Sequence, residues 1–464
     1  KKKVNTLTKD LVRVVELAKL GAYEEALKIC RKIKKNHSNN ATYFNIRGIL
    51  SRRLGHLDEA FLHSNRAIQI DENMFAAKMN IANIESQKGN IYKSIALLEE
   101  ILTEQPSYQE AKANLAVAYK SVGKLKKSLN IYKNLDFHGP WSHKAKFNYG
   151  TTLLTNKNFE SGWHYYEYRW KTSPQNQTIW PFSDKPLWRG ERGKRVALWR
   201  EQGIGDDIIF LSLVPEVKEM CSSLSVYVDP RLQDLCKRAM PEINFVKDIE
   251  ALEDIECDYH LPLGSLPGLI RNDISDFDRT VKGYLKADPQ RVGSIRDELK
   301  LEGKTAIGIS WKSFNSLNPL KKSVQLKDME RIFSGLDVVL VNLQYGDVED
   351  EIREFKEATG IDVVQCASVD NREDLDGLAA LIEVCDLVVS IDNVTVHLAG
   401  ALAKKTWVLI NFVSKYYWSS DRTDSLWYPS VSLYRQPALN DWDSVYVAIR
   451  KELQSKFSKT KGLY

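Results

Sequence analysis

Apolar and small positions recur with a single period over residues 7–171. The segments "LGAYEEAL", "LGHLDEAF", "KGNIYKSI" and "VGKLKKSL" contain Gly21, Gly55, Gly89 and Gly123, each 34 residues after the last. A fifth copy, "NKNFESGW", puts Lys157 where the glycine belongs. Five residues beyond each marker stands a small residue: Ala26, Ala60, Ser94, Ser128 and Gly162. Seven residues before the later markers stands another: Gly48, Ala82, Ala116 and Gly150. Small side chains at two fixed phases let paired helices approach closely, and the glycine supplies the turn between them. Pro106 and Pro140 fall 17 residues after their markers, where the second helix must stop.

Beyond residue 194 the pattern changes to short apolar runs separated by amphipathic segments. The runs "VALWRE", "LSVYVD", "NFVKD" and "YHLPL" form one set; "AIGISW", "DVVLVNLQ", "DVVQC", "LVVSID", "TWVLINF" and "VSLYRQ" form a second. Strands alternating with helices predict parallel sheets with crossover connections. The expected organisation is a helical-repeat array over 1–171 and an irregular linker over 172–194. Two Rossmann-like halves follow at 195–290 and 300–464, facing each other across a cleft. The second half closes with the helix "DWDSVYVAIRKELQSKF". Ligands of such sheets bind beyond the carboxyl ends of the strands.

The period of 34 resembles a tetratricopeptide-repeat array of about five helix pairs. Such arrays stack into a superhelix whose concave face holds a peptide or protein. The structural alternative is a scaffold or a dimer surface, which leaves self-association open. The aromatic run "SGWHYYEYRW" carries Trp163, Tyr165, Tyr166, Tyr168 and Trp170; large rings there are expected to bury the open end of the array on the next domain.

Composition narrows the field. A net charge of +5 over 464 residues argues for neither a nucleic-acid nor a membrane-surface protein. No apolar run is long enough to span a bilayer as a helix. The six cysteines include no Cys-x-x-Cys pair, and the His, Cys and Asp residues show no metal-ligand spacing. Free thiols in a reducing cytoplasm and no bound metal are the expectations.

Three strand ends carry chemistry. After "VALWRE" come Gln202, Gly203, Gly205, Asp206 and Asp207; after "AIGIS" come Trp311 and Lys312, preceded by Ser310; after "LVVSI" come Asp392, Asn393, Thr395 and His397, with Leu398 beyond. Gln344 ends the run "DVVLVNLQ". The third junction suits an anion, because a helix N-terminus presents backbone N–H groups and partial positive charge. Asn393, Thr395 and His397 add donors, and Lys312 could neutralise a diphosphate from the neighbouring strand end. Each has a structural alternative. His397 could simply pack within its helix, and Asp392 or Asp206 could cap one. Asp207 is the more structural of the two adjacent aspartates.

The segment "LWREQGIGDDIIF" resembles the "EQGxGD" stretch of bacterial tetratricopeptide-repeat glycosyltransferases. "SIDNVTVHLAGALAKKTWVL" resembles their HLAG-containing segment, and "WSSDRTDSLWYPSVSLYRQPALNDWDSV" their close. The catalytic part is also similar to the heptosyltransferase family (glycosyltransferase family nine). Its pairing with repeats resembles protein O-linked sugar transferases and flagellin glycosyltransferases. The resemblance implies a GT-B fold and a metal-independent, inverting transfer from a nucleotide sugar. The acceptor it implies is Ser or Thr of a protein, with a glycan or lipid-linked acceptor open. It assigns the base to Asp206, donor phosphate to Thr395, His397 and Leu398, and a donor lysine to Lys312. Nucleotide sugar is thus a substrate and no cofactor is expected. The chain departs from the family at Asp207, at Lys322 in place of an arginine, and at Ala403 and Lys405 in place of glycine and proline.

Overall fold

The computed structural model describes residues 9–139, 141–172, 181–182, 184–314 and 323–457. Two compact units emerge, Lys1–Leu153 with His164–Ile179, and Leu154–Trp163 with Trp180–Tyr464.

The repeat region forms helix pairs α1 (Lys9–Lys19) and α2 (Tyr23–Ile33), α3 (Ala41–Arg53) and α4 (Leu57–Ile70), α5 (Phe75–Gln87) and α6 (Ile91–Glu104), α7 (Gln109–Ser121) and α8 (Leu125–Lys133), α9 (Ser142–Thr155) and α10 (Phe159–Tyr166). Gly21, Gly55, Gly89 and Gly123 turn each pair with φ of 81°, 82°, 90° and 76°, the left-handed region that glycine enters without steric cost. Lys157 keeps that geometry at φ 63° and extends its ammonium to Asp421, 2.6 Å away. The recurring small residues are buried at the helix contacts; a Cβ on Gly48 would lie 2.4 Å from Ser64 Oγ. Pro106 follows the end of α6 as expected. Helix α8 instead stops at Lys133, well before Pro140, which lies outside the described residues.

The last helix pair, ahead of the expected boundary at 171, is divided between the two units. Residues 154–163 belong to the second unit. There the Trp163 indole N–H donates to the Arg271 carbonyl at 2.8 Å, its ring meets Trp427 edge-on, and Phe159 packs on Phe277. The aromatic run therefore divides. Tyr165 and Tyr168 stay with the array, stacked against each other, with Tyr149 against Tyr165 and His143 against Tyr168.

The second unit contains two parallel sheets. β1 (Lys194–Trp199), β2 (Cys221–Tyr227), β3 (Asn244–Val246) and β4 (Tyr259–Pro262) are ordered β3-β2-β1-β4. β5 (Ala306–Ser310), β6 (Val339–Asn342), β7 (Val363–Val364), β8 (Leu387–Ile391), β9 (Thr406–Ile410) and β10 (Val431–Arg435) are ordered β10-β9-β8-β5-β6-β7. Counted within itself, the second sheet has the doubly wound order 3-2-1-4-5-6, with its switch point where β5 meets β8. The helices that concern the site are α11 (Ile204–Leu211), α12 (Gln233–Ala239), α13 (Pro289–Leu299), α14 (Glu349–Thr359), α15 (Leu375–Glu383), α16 (Val394–Ala401) and α17 (Trp442–Phe457). Strands β5, β8 and β9 are buried along their whole length, as both faces of a parallel sheet are covered. Residues 184–194 of the expected linker are fastened to the first sheet. Trp188 is 1% exposed, its N–H donates to the His260 carbonyl, and Leu187 pairs with His260 beside β4.

The two sheet-bearing halves are tied by buried and charged contacts. Arg238 on α12 forks onto Asp376 on α15 at 2.8 and 3.2 Å, and Arg291 on α13 pairs with Asp374 at 2.5 Å. Tyr284 Oη donates to the Ile208 carbonyl at 2.7 Å, and α11 packs directly on α16. A repeat array followed by two facing Rossmann-like halves is the tetratricopeptide-repeat GT-B architecture. Among the described residues no helix is long and apolar enough to cross a membrane. All six cysteines are free and buried.

Candidate active site

The turn after β1 enters α11 through Gly203, whose carbonyl accepts the N–H groups of Asp206 and Asp207. Gly203 is the N-cap, so neither aspartate caps this helix. Both lie in its first turn. Gly205 faces the other half: a Cβ there would sit 3.1 Å from His397 Cδ2. The second glycine of "QGIGDD" therefore lets the first turn of α11 lie close against the His397 ring of α16. Gln202 lends its carbonyl to Arg200 Nη2 at 3.2 Å.

Asp207 is 1% exposed and turned inward. Its Oδ2 accepts from Arg200 Nε at 2.7 Å and from the Asp229 N–H at 3.2 Å. Burial nonetheless pushes its pKa up to about 7, with Arg200 pulling the other way. Asp229 also receives Arg231 Nε at 2.9 Å and Nη2 at 3.1 Å, and the Arg231 pair holds its carboxyl below the usual range against the cost of burial. Arg231 then reaches across to donate from Nη1 to the Arg372 carbonyl at 3.0 Å. Asp207 thus anchors a chain of alternating charges that ends at the mouth of the cleft.

Asp206 remains half-buried and lies close enough to Tyr417 and Tyr428 for its charge to raise both hydroxyl pKa values. For both tyrosines burial is the larger cause, and both stay neutral donors. His397 is 3% exposed in the body of α16. Its Nδ1 pairs with Tyr428 Oη at 3.0 Å, its Nε2 lies 3.8 Å from Asp392 Oδ1, and its ring stacks on Trp418 at 5.5 Å. Tyr417 Oη donates to Asp392 at 3.4 Å. A Cβ on Gly400 would overlap Tyr428 at 2.5 Å, so that glycine of "HLAG" seats the tyrosine that holds the histidine.

Several of the expected donor residues are buried or engaged within the protein. Trp311 is fully buried in the core beneath the second sheet, packed with residues such as Leu326 and Phe333, so its ring does not face the cleft. Leu398 is likewise fully buried in mid-helix. Ser310, Gln344 and Asn393 form a polar knot at the switch point. Gln344 Oε1 accepts from Ser310 Oγ and from the N–H groups of Trp311 and Lys312, at 3.0, 2.9 and 2.7 Å. Asn393 Nδ2 donates to Ser310 Oγ at 2.7 Å, while its Oδ1 caps α16 at the Thr395 N–H. Asn393 rather than Asp392 is the cap, and Thr395 is turned inward at 1% exposure. These residues form the floor of the loops at the strand ends. The Lys312 ammonium pairs with Glu351 on α14, so its charge is already engaged. Lys322 lies outside the described residues. Ala403 retains the left-handed backbone of the glycine it replaces, with φ 59°.

A cleft of about 400 Å³ opens beside this knot. Ile204 and Arg231 line it from the first half; Val394 at the start of α16, Phe314, Tyr345 and Arg372 are among those lining it from the second. Phe314 is 52% exposed and meets Tyr345 edge-on at 5.3 Å. Two guanidinium groups, a helix start and an aromatic wall suit a phosphorylated ligand with a planar group. Arg231, Phe314, Tyr345 and Arg372 escaped the sequence reading. Their only signal was position at loops following β2, β5, β6 and β7.

No family profile matches the chain. It is 29% identical over 387 residues to the protein FlbA of Caulobacter vibrioides, covering 76% of this chain and 63% of that protein. The chain thus spans less than two thirds of that relative. Among solved structures it is similar to a mutant O-GlcNAc transferase of Thermobaculum terrenum (14% identity, 97% of this chain and 92% of that one, TM-score 0.35). A glycosyl transferase family 9 protein of Veillonella parvula (11%, 57% and 97%, 0.41) and a tetratricopeptide-repeat protein of Thermus thermophilus (16%, 36% and 92%, 0.32) are also similar. At these TM-scores the fold rests on helix pairing and strand order, not on the likeness. In element order and topology the chain resembles tetratricopeptide-repeat glycosyltransferases of the GT-B type.

Proposed function

We propose that the chain transfers a sugar from a nucleotide-sugar donor to an acceptor hydroxyl, with inversion and without a metal, and that the acceptor is Ser or Thr of a protein held by the repeats. The observation that carries this reading is the cleft at the switch point, cationic and aromatic on its walls, with the half-buried Asp206 in the helix that borders it. The nucleotide lies against Phe314 and Tyr345, and its diphosphate against Arg231, Arg372 and the first turn of α16. Asp206 takes the acceptor proton as the hydroxyl oxygen attacks the anomeric carbon. The bond from that carbon to the diphosphate oxygen breaks, and the leaving nucleotide keeps the electron pair. Arg231 and the helix start stabilise the developing charge. The site works inside a cell, where nucleotide sugars are made.

Asp206→Asn is expected to abolish transfer while nucleotide binding by calorimetry is unchanged. Full transfer by this variant would remove Asp206 as the base. Activity is expected to survive EDTA; its loss, with restoration by a divalent ion, would overturn the metal-independent reading. A second reading, a non-catalytic repeat scaffold, draws on the engagement of Lys312 by Glu351. Absence of nucleotide binding together with absence of donor turnover would favour it.

A further inference from the structure

Arg231, Arg372 and Lys312, in and beside the cleft, each meet a carboxylate. Arg231 is forked onto Asp229, with Nε to Oδ1 at 2.9 Å and Nη2 to Oδ2 at 3.1 Å, and its Nη1 is taken up by the Arg372 carbonyl. Arg372 Nε lies 3.3 Å from Oε1 of Glu373, its neighbour in sequence. Lys312 pairs with Glu351. The pairs differ in what holds them. Three bonds fix the planar guanidinium of Arg231, whereas Lys312 meets Glu351 through one ammonium at the end of a flexible stem.

The main chain of Lys312 is anchored on both sides. Its N–H donates to Gln344 Oε1 at 2.7 Å, and its carbonyl accepts from Asn393 Nδ2 at 3.2 Å. Asn393 caps α16, and the next residue, Val394, lines the cleft, as does Phe314 two residues beyond Lys312. The lysine is thus rooted at the rim, yet neither it nor Glu351 is among the lining residues. Glu351 stands in the first turn of α14, just after Tyr345, Gly346 and Asp347 of the cleft wall. Its Oε1 accepts the Leu326 N–H at 3.4 Å, and its Oε2 holds the ammonium. The two side chains are 35% and 25% exposed, so the pair is partly solvated and adds little to stability. The carboxylate does not need its cation, because the positive end of α14 stabilises an anion in that turn.

We infer that Glu351 is a positioning residue that parks the Lys312 ammonium outside the cleft and yields it to the diphosphate of an arriving nucleotide. The inference rests on the reading of the cleft as the nucleotide-sugar site and adds the control of that site. A diphosphate brings more negative charge than the one carboxylate it displaces, and only the lysine side chain has to swing. When the sugar leaves, the nucleotide keeps the electron pair of the broken bond, and the ammonium offsets that charge. Return of Lys312 to Glu351 then lowers the hold on the product. Glu351 and the diphosphate therefore compete for one cation.

The test titrates the full chain calorimetrically with the common ribonucleoside diphosphates and, for each that binds, its nucleoside. The variants are Glu351→Gln, Lys312→Gln and the two combined. Glutamine at 351 keeps a carbonyl for the Leu326 N–H, so the unliganded unfolding transition should stay in place. Glu351→Gln is expected to bind the diphosphate about fivefold more tightly, the factor that matches loss of a partly exposed ion pair, and the nucleoside as wild type does. Lys312→Gln should weaken the diphosphate, and adding Glu351→Gln should recover nothing, because the carboxylate acts through the ammonium. Unchanged or weaker diphosphate binding by Glu351→Gln would overturn the inference. An equal gain in the absence of Lys312 would do the same, since Glu351 would then only repel phosphate. Diphosphate binding by none of the proteins would overturn this inference and the transferase reading together. The expected tightening without any sugar transfer by the wild-type chain would sink the transferase reading alone. Sugar transfer with no change of affinity in Glu351→Gln would sink this inference alone.

Discussion

Asp207 shows how a single position can look misplaced in sequence and be constrained in structure. Its carboxyl is buried beside Arg200, yet its pKa rises from 3.8 to about 7 because desolvation outweighs the pair. The unfolded chain releases this proton near 3.8 and the folded chain near 7, so between those values the folded state binds more protons. This group's contribution to stability therefore falls as pH rises through that window and levels off above it. Asp207→Asn should flatten that component: the stability difference between wild type and variant, from urea unfolding, shifts against wild type from pH 4 to 7. A difference that is constant with pH would refute the assignment. Gly205 is constrained more simply. Alanine would add helix propensity worth about 1 kcal/mol, but its methyl would meet the His397 ring at 3.1 Å. That ring is held by Tyr428 and Trp418 and cannot yield, and overpacking costs about 1–3 kcal/mol. Gly205→Ala should therefore be destabilised by about 1 kcal/mol on balance in the same assay, and a variant as stable as wild type would show that the ring moves.

At the scale of elements, the helix pairs and all ten strands were legible because each obeys its own period: 34 for the repeats, alternate buried runs for the sheets. Legibility ended where long-range contacts decide. Ser310, Gln344 and Asn393 read as ligand donors because they sit at strand ends, but the three ends converge and both amides bond the Ser310 hydroxyl. Trp311 follows its strand in sequence and still turns into the core. Arg231 and Arg372 could not be chosen from among 66 Lys and Arg residues without knowing which loops meet. Lys157 lies between these cases. Its left-handed backbone costs about 1–2 kcal/mol for a residue with a Cβ, while its partly exposed pair with Asp421 returns about 0.2–1 kcal/mol. Lys157→Gly should thus be neutral to slightly stabilising, and Asp421→Asn mildly destabilising. A marked loss in Lys157→Gly would mean the ion pair outweighs the backbone.

For the whole molecule, the most direct measurement is ligand-induced stabilisation. A nucleotide or nucleotide sugar at a hundred times its dissociation constant should raise the stability of the unit that binds it by about 2.7 kcal/mol. Arg231→Gln should erase that response and leave the unliganded transition nearly in place. A response undiminished in this variant would move the nucleotide elsewhere. The division of the fifth helix pair also decides where this polypeptide can be cut. Truncation at residue 172, where the repeats end in sequence, would strip Phe159 and Trp163 from Phe277, Arg271 and Trp427 and leave those surfaces bare. Truncation ahead of α9 would carry them along. The longer fragment is the one suited to expression by itself.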